Sequence, residues 1–373
     1  MAAREPELSR RVPYVDLAKQ HAVVKRSILD AIAGVLDHGQ FILGPEVGAF
    51  ESAIAGKLQV RHAVGVASGT DAIVLALKAL GIGPGDEVIT VSHSFVATAT
   101  AVCLAGARPV FVDVEDESML LDPACLASAV GPRSRAVLAV HLNGFPCDME
   151  PIESFCREHG LALVEDCAQA LGALWRGRPV GSFGLGCFSL HPLKTLSGCG
   201  DGGFVTTGDE EVAARLRQLR NLGLRDRDHC DSIAGNSRLD TLQAAILLAK
   251  LPHLDEWIAA RRARAQRYRE ALAGRFRLPQ PEQESFATYA AFVVRHPRRD
   301  LLRERLAARG IDARVHYPVA IHQQPAFSSI PRPALPVTER IVGEILSLPV
   351  SAELEPSDQE RVIDAALGAI GEV

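Results

Sequence analysis

The 373-residue sequence lacks most of the features that would assign a function at sight. A formal charge of only −5 and a sequence pI near 6.2 give no net cationic field of the kind that draws nucleic acid. Basic residues do gather at 215–220 and 261–264, but within Ala- and Leu-rich helical patterns where they read as solvated faces. The eight cysteines form no C-x-x-C pair and no Cys/His ligand spacing, so reduced thiols are expected rather than a disulfide framework or a metal site. No apolar run approaches the length of a membrane span, and the start, Met-Ala-Ala-Arg-Glu-Pro-Glu, has no apolar signal core. A soluble, cytoplasmic protein with neither nucleic-acid nor membrane partners is expected. There is no internal repeat, no G-x-G-x-x-G run after a strand and no G-x-x-x-x-G-K-[ST] run, which argues against the two common phosphate-loop designs for nucleotides.

What the sequence does have is a packed core and a regular alternation. Hydrophobic residues make up 47%, charged ones 23%, and the mean hydropathy is +0.10, a globular composition. The length allows one large and one smaller domain, with the division expected at 255/256. Helices are expected over 17–37 and 46–58. Strand-like runs then follow at 62–67, 87–91, 109–113, 136–141 and 161–165, separated by helical patterns at 72–80, 97–104, 122–130 and 149–159. Such alternation implies a mostly parallel sheet covered on both faces, with ligands beyond the carboxyl ends of its strands. Ser68, Phe95, His141 and Asp166 fall at those ends. After a strand at 204–207 come helices at 209–221, 240–251 and 253–273. A compact α+β unit ends the chain, with strands at 289–294 and 312–316 and helices at 300–309, 336–346 and 357–371.

The most informative stretch is Phe188-Ser-Leu-His-Pro-Leu-Lys194-Thr-Leu-Ser-Gly-Cys-Gly-Asp-Gly-Gly203. It sets one lysine in an apolar run just before a glycine cluster. A desolvated lysine has a depressed pKa and can attack a carbonyl as a neutral amine. The glycines allow close approach to a flat ligand, or a turn. The plain alternative is a surface lysine on a turn. Three other features bear on that choice. Ser68-Gly69-Thr70 is a strand-to-helix turn suited to a phosphate, or only a helix cap. Asp166 ends a buried strand, where it could keep a pyridinium nitrogen protonated, or only cap a turn. Phe95 follows a strand and could stack on a flat ring, or only pack in the core.

Five motifs in order, Ala67-Ser-Gly-Thr-Asp71, Val164-Glu-Asp-Cys-Ala-Gln169, Phe188 to Lys194, Gly200-Asp-Gly-Gly203 and Asn236-Ser-Arg-Leu-Asp240, make the chain resemble the DegT/DnrJ/EryC1/StrS family from about residue 13 to 349. The resemblance implies an α/β protein of the pyridoxal-phosphate-dependent transferase fold type I, like aspartate aminotransferase. It would have a large cofactor-binding domain and a smaller carboxy-terminal α+β domain. It also implies an aminotransferase that uses pyridoxal 5′-phosphate (PLP) and pyridoxamine phosphate in a ping-pong reaction. Glutamate or glutamine would be the donor, and a nucleotide-linked keto-sugar the acceptor, on the way to an amino sugar of an antibiotic or a surface glycan.

By the same resemblance Lys194 forms the Schiff base and shuttles the proton, Asp166 pairs with the pyridine nitrogen and Gln169 approaches the ring hydroxyl. Phe95 covers the ring, and Ser68, Gly69, Thr70 and Ser189 hold the phosphate. Asn236 reaches the phosphate of a neighbouring subunit, which makes the expected protein a homodimer with shared sites. His316, Tyr317 and His322 match a segment that lines the sugar-nucleotide pocket. Three positions depart from the family pattern: His93 stands where many relatives are apolar or aromatic, Asn143 replaces an aromatic, and Thr195 follows the lysine where asparagine is frequent. His93 is therefore a candidate for substrate contact or for a polar supporting role behind the site, and Asn143 for substrate contact. The segment 236–240 leans toward a 3-keto rather than a 4-keto sugar. A keto-cyclitol acceptor of the inosose type and a non-catalytic regulatory protein on the same fold are the competing expectations. The last presence that counts is the lysine itself, since relatives that replace it with histidine become dehydratases.

Overall fold

The computed structural model describes residues 11–281 and 283–372; the polar start read above lies outside them. In chain order the elements are α1 (Leu17–His38), α2 (Pro45–Lys57), β1 (His62–Val66), α3 (Gly69–Ala79), β2 (Glu87–Val91), α4 (Ala97–Leu104) and β3 (Arg108–Val112). Next come α5 (Leu126–Ala129), β4 (Ser134–Val140), α6 (Met149–His159), β5 (Ala162–Asp166), β6 (Leu174–Trp175), β7 (Arg178–Pro179) and β8 (Leu185–Ser189). They are followed by β9 (Gly203–Thr207), α7 (Glu210–Leu219), α8 (Thr241–Lys250), α9 (Leu254–Leu272) and β10 (Ser285–Phe286). The chain closes with β11 (Phe292–Arg295), α10 (Arg299–Ala308), α11 (Pro336–Glu344), β12 (Ile345–Leu348) and α12 (Pro356–Ile370).

Seven strands form one sheet in the order β1-β9-β8-β5-β4-β2-β3. From β8 to β3 every neighbouring pair is parallel; β9 alone runs against both its neighbours, β1 and β8. Strand residues alternate between two cores, as a pleated strand requires. Val88, Leu138 and Val164 join a core with α3, α4 and α7, whereas Ile89, Val137 and Leu163 face the opposite core. Both faces are thus covered, which explains the near-continuous apolar strands. The smaller carboxy-terminal unit is built on the antiparallel pair β11–β12. It is tied to α9 by Tyr268, whose hydroxyl donates to the Pro349 carbonyl at 2.8 Å. The division expected at 255/256 falls in the first turn of α9.

Several expected elements change on inspection. The helix expected from residue 72 starts at Gly69, because Ser68 caps it by accepting from Asp71 N at 3.0 Å. Asp122 caps as expected, but the helix expected to 130 is a 3-10 turn (Pro123–Cys125) running into the single turn of α5. The strand expected at 312–316 is absent. Ile311 makes one bridge to Val12 and Arg314 one to Ser347, and between and beyond them the chain peels away. The helix expected to 346 ends at Glu344, since Ile345 to Leu348 pair with β11. In the last case pairing with a strand far along the chain overrides the local pattern.

Candidate active site

Beyond the carboxyl ends of β1, β2, β4, β5 and β8 lies a cleft of about 430 Å³. Its charged centre is Lys194 with Asp166. Lys194 lies on the segment between β8 and β9, partly buried and lining the cleft. Burial lowers its pKa, and the charge of Asp166 partly opposes this. Asp166, the last residue of β5, is buried. Its Oδ2 accepts from Thr98 Oγ1 at 2.8 Å, and that hydroxyl is itself 2.7 Å from Ser94 Oγ. Its Oδ1 accepts from Ala168 N at 3.2 Å.

A polar cap lies at the start of α3. Ser68, Gly69, Thr70 and Ser189 all line the cleft, and the eleven-residue helix behind them points its free N–H groups there. Gly69 is needed for its lack of a side chain, because a Cβ there would sit 2.6 Å from Ser189 Cβ. The turn is braced from behind by Ser237, whose Oγ donates to Asp71 Oδ2 at 2.6 Å and accepts from Ala67 N at 3.2 Å. That contact joins the first and last of the five sequence motifs.

The side walls come from distant segments. Gln169 Nε2 donates to the Tyr317 hydroxyl at 3.2 Å, while its Oε1 accepts from Asn143 N at 2.6 Å. Phe95 is half exposed at the mouth, its ring 5.2 Å from that of Tyr317. His316 lines the cleft with Nδ1 3.0 Å from Ser347 Oγ. Burial, with repulsion from Lys194 and Arg314, lowers its pKa to about 4, so the ring is neutral. Burial raises the Tyr317 hydroxyl and keeps it protonated. The Tyr14 ring lies tilted against His316, centroids 5.3 Å apart, and burial pushes its hydroxyl pKa up to about 12.

Four of the expected site residues lie off this cleft. His93 is buried, with Nδ1 3.3 Å from the Met119 carbonyl and Nε2 unpartnered. His322 is buried between Ser92 Oγ at 2.6 Å and Glu339 at 3.1 Å. Asn143 reaches the site only through its backbone N–H to Gln169, its side chain being enclosed. Asn236 is exposed, bridged to Asn221, and does not line the cleft of its own chain. The glycine cluster also has a different cause from the flat ligand considered above. Side chains at 198 and 200 would collide with Gln243, and one at 203 with the Ser68 backbone.

Tyr14, Ser94 and Thr98 line the cleft without having been singled out from the sequence. Ser94 and Thr98 are four apart at the entry to α4, a spacing that puts two hydroxyls on one face. Behind Asp166, the ligand-type atoms of His141, Glu165 and Cys167 come within 4.8 Å of one another. The Glu165 oxygens are already filled by Gly181 N, Phe183 N, Gly184 N and His141, so this cluster is a hydrogen-bonded brace for the end of β5.

The donor set fits a flat phosphorylated pyridine. A helix start with small residues stands at one end, a buried carboxylate at the other, and a desolvated amine stands beside that carboxylate. Comparison with known proteins agrees. The model of the DegT/DnrJ/EryC1/StrS aminotransferase family matches residues 23–367. A dTDP-3-amino-3,4,6-trideoxy-alpha-D-glucose transaminase of Streptomyces venezuelae is 46% identical over 95% of this chain and 95% of its own length. A UDP-N-acetyl-3-dehydro-alpha-D-glucosamine 3-aminotransferase of Acidithiobacillus ferrooxidans is 44% identical over 94% of this chain and 96% of its own. The DesV protein of Streptomyces venezuelae, solved in complex with a ketimine intermediate, superposes with a TM-score of 0.95 at 45% identity. That superposition covers 97% of this chain and 99% of DesV.

Proposed function

The chain belongs to the DegT/DnrJ/EryC1/StrS aminotransferase family and is an aminotransferase, and on that premise we propose that it transfers an amino group from glutamate or glutamine to a nucleotide-linked 3-keto sugar, with PLP as the carrier. The observation that carries the reading is the Lys194 amine, its pKa lowered by burial, in one cleft with Asp166. Bound there, PLP supplies an electron sink for the carbon that gains or loses the amino group. Asp166 would hold the pyridine nitrogen, kept in place by Thr98 and Ala168 N. Gln169 would meet the ring hydroxyl, Phe95 would lie over the ring, and Ser68, Gly69, Thr70 and Ser189 would hold the phosphate.

The Lys194 amine, its pKa lowered by burial, is the group able to take a proton from the substrate carbon and return it, once on the donor side and once on the acceptor side of a ping-pong cycle. His316, Tyr317 and Tyr14, all uncharged, line the part of the cleft proposed for the sugar. They can donate to or accept from its hydroxyls without adding charge. Two relatives whose names put the nitrogen on carbon 3 support the 3-keto assignment.

A homodimer is part of the reading. Asn236 lies outside its own cleft, and Phe41, Ile42 and Leu43, paired to the same stretch through Ile42 and Asp240, are large apolar side chains exposed by 38–49%. Asn236 would complete the phosphate cap of the partner's site.

The test is spectroscopic and enzymatic. The protein with PLP added should absorb as a protonated imine, borohydride should abolish that band, and Lys194→Ala should never show it. A screen of 3-keto and 4-keto sugar nucleotides against an inosose, with each donor, then names the acceptor. Turnover of the inosose and of no nucleotide sugar would replace the sugar assignment with a keto-cyclitol one.

A further inference from the structure

Helix α8 brings a second lysine beneath the segment that carries Lys194. Lys250 is fully buried. Its Nζ stands 2.6 Å from the Ser197 carbonyl oxygen, 2.7 Å from Ser197 Oγ and 3.3 Å from His21 Nε2. Those are three acceptors for the three N–H bonds of an ammonium. The ring of Trp257 lies 5.8 Å from the same nitrogen. Burial lowers the pKa to about 8, so at neutral pH the ammonium is the form present. Glu353 and Cys199 act on it only through space.

A buried ammonium without a bonded carboxylate is a poor way to stabilise a fold, and replacing buried charge with apolar volume is often neutral or stabilising. What Lys250 does hold is Ser197, three residues past Lys194. Gln243, two turns earlier on α8, holds the next stretch by accepting from Cys199 N at 2.8 Å. The segment is also closed on itself, by Lys194 N to the His191 carbonyl at 2.8 Å and Gly198 N to the Leu190 carbonyl at 2.7 Å. One helix therefore grips the turn at 197 and 199, and the turn in turn sets where the Lys194 side chain begins.

We propose that Lys250 is a positioning residue for the Lys194 amine: by anchoring Ser197 it keeps that amine in its desolvated place facing Asp166. The proposal rests on reading Lys194 as the carbonyl-attacking amine. It goes further in naming a residue outside the cleft that controls how much of that amine is neutral.

The experiment is reductive methylation of the full chain, freed of cofactor, with formaldehyde and cyanoborohydride over a pH series. Modification of Lys194 is followed by peptide mass spectrometry, and the melting temperature is measured alongside. In Lys250→Met the Lys194 midpoint should move up by about half a pH unit, because a loosened turn lets the ammonium reach water. The melting temperature should hold or rise. An unchanged or lowered midpoint in folded Lys250→Met overturns the proposal, whatever the melting temperature does. If that variant does not fold, Ser197→Ala decides, with an upward shift supporting the anchor and no shift refuting it. Incubating the unaltered chain with PLP and borohydride separates the two readings. Failure to find an adduct on Lys194 refutes the proposed function and leaves the midpoint comparison standing.

Discussion

Thr98 Oγ1 donates to Asp166 Oδ2 over 2.8 Å, joining the first turn of α4 to the last residue of β5. The single hydroxyl proton is committed to the carboxylate, so the neighbouring Ser94 hydroxyl, 2.7 Å away, must donate to Thr98 in its turn. The carboxylate is thereby aimed and its charge stabilised. Thr98→Val keeps the shape and removes the donor. A hydrogen bond to a charged group is worth about 1.5–3 kcal/mol, so turnover should fall about tenfold to a hundredfold. Thr98→Ser should recover most of it. Steady-state rates with saturating donor check this, and an unaffected Thr98→Val would show that Asp166 needs no orientation.

Asp166 also bears on the lysine. Its negative charge raises the Lys194 pKa against the larger effect of burial. Asp166→Asn removes that attraction, so in cofactor-free protein the Lys194 labelling midpoint should move to lower pH. Methylation over a pH series reads the direction. A midpoint that stays where it was would mean the two groups do not sense each other, and one that rises would reverse the sign assigned to Asp166.

Two histidines make the fold acid-sensitive in a definite window. Burial lowers His93 and His316 from 6.5 to about 4. Between those values the unfolded chain binds more protons than the native one, so stability is complete above about pH 6.5 and is lost as the pH falls toward 4. For His93, 1% exposed, the loss is at most about 3 kcal/mol. His93→Gln, which cannot titrate, should flatten the fall of melting temperature across that window. Equal slopes for the two proteins would contradict the assignment.

Gly69→Ala places a methyl group 2.6 Å from Ser189 Cβ. Overpacking of this kind costs about 1–3 kcal/mol, and here the strain falls on both halves of the proposed phosphate cap. The expected result is a PLP affinity weakened by about tenfold with a modest change in melting temperature. Spectroscopic titration with PLP measures it, and an unaltered affinity would move the phosphate elsewhere.

How much of this could be read from residues alone depended on where each interaction lies along the chain. Lys194, Asp166, Gln169 and the Ser68 turn sit in short motifs at strand ends, so order and spacing were enough to bring them to one cleft. Tyr14 and Thr98 reach it only because α4 and the segment before α1 pack against strands far away in sequence, and no local pattern marks them. His93 and His322 lie near a motif but not in the cleft: each is enclosed and hydrogen-bonded in the wall, His93 in the polar supporting place that was its other expectation. The strand expected at 312–316 failed for a related reason. Its pattern suits a strand, but the chain must leave Ser347 to carry His316 and Tyr317 into the cleft.

The reversed strand β9 has a consequence for how this architecture can diversify. Because β8 and β9 are adjacent and antiparallel, with Ser189 opposite Gly203, the intervening segment is a closed hairpin pinned at its base by the sheet itself. Lys194 inherits its place from strand register and from α8, whereas His316, Tyr317 and the stretch at 290–291 come from other parts of the chain. Mutation can remodel the walls that meet an acceptor while the amine stays where it is. One nitrogen-transfer engine can then be refitted to new acceptors by drift in segments outside its hairpin.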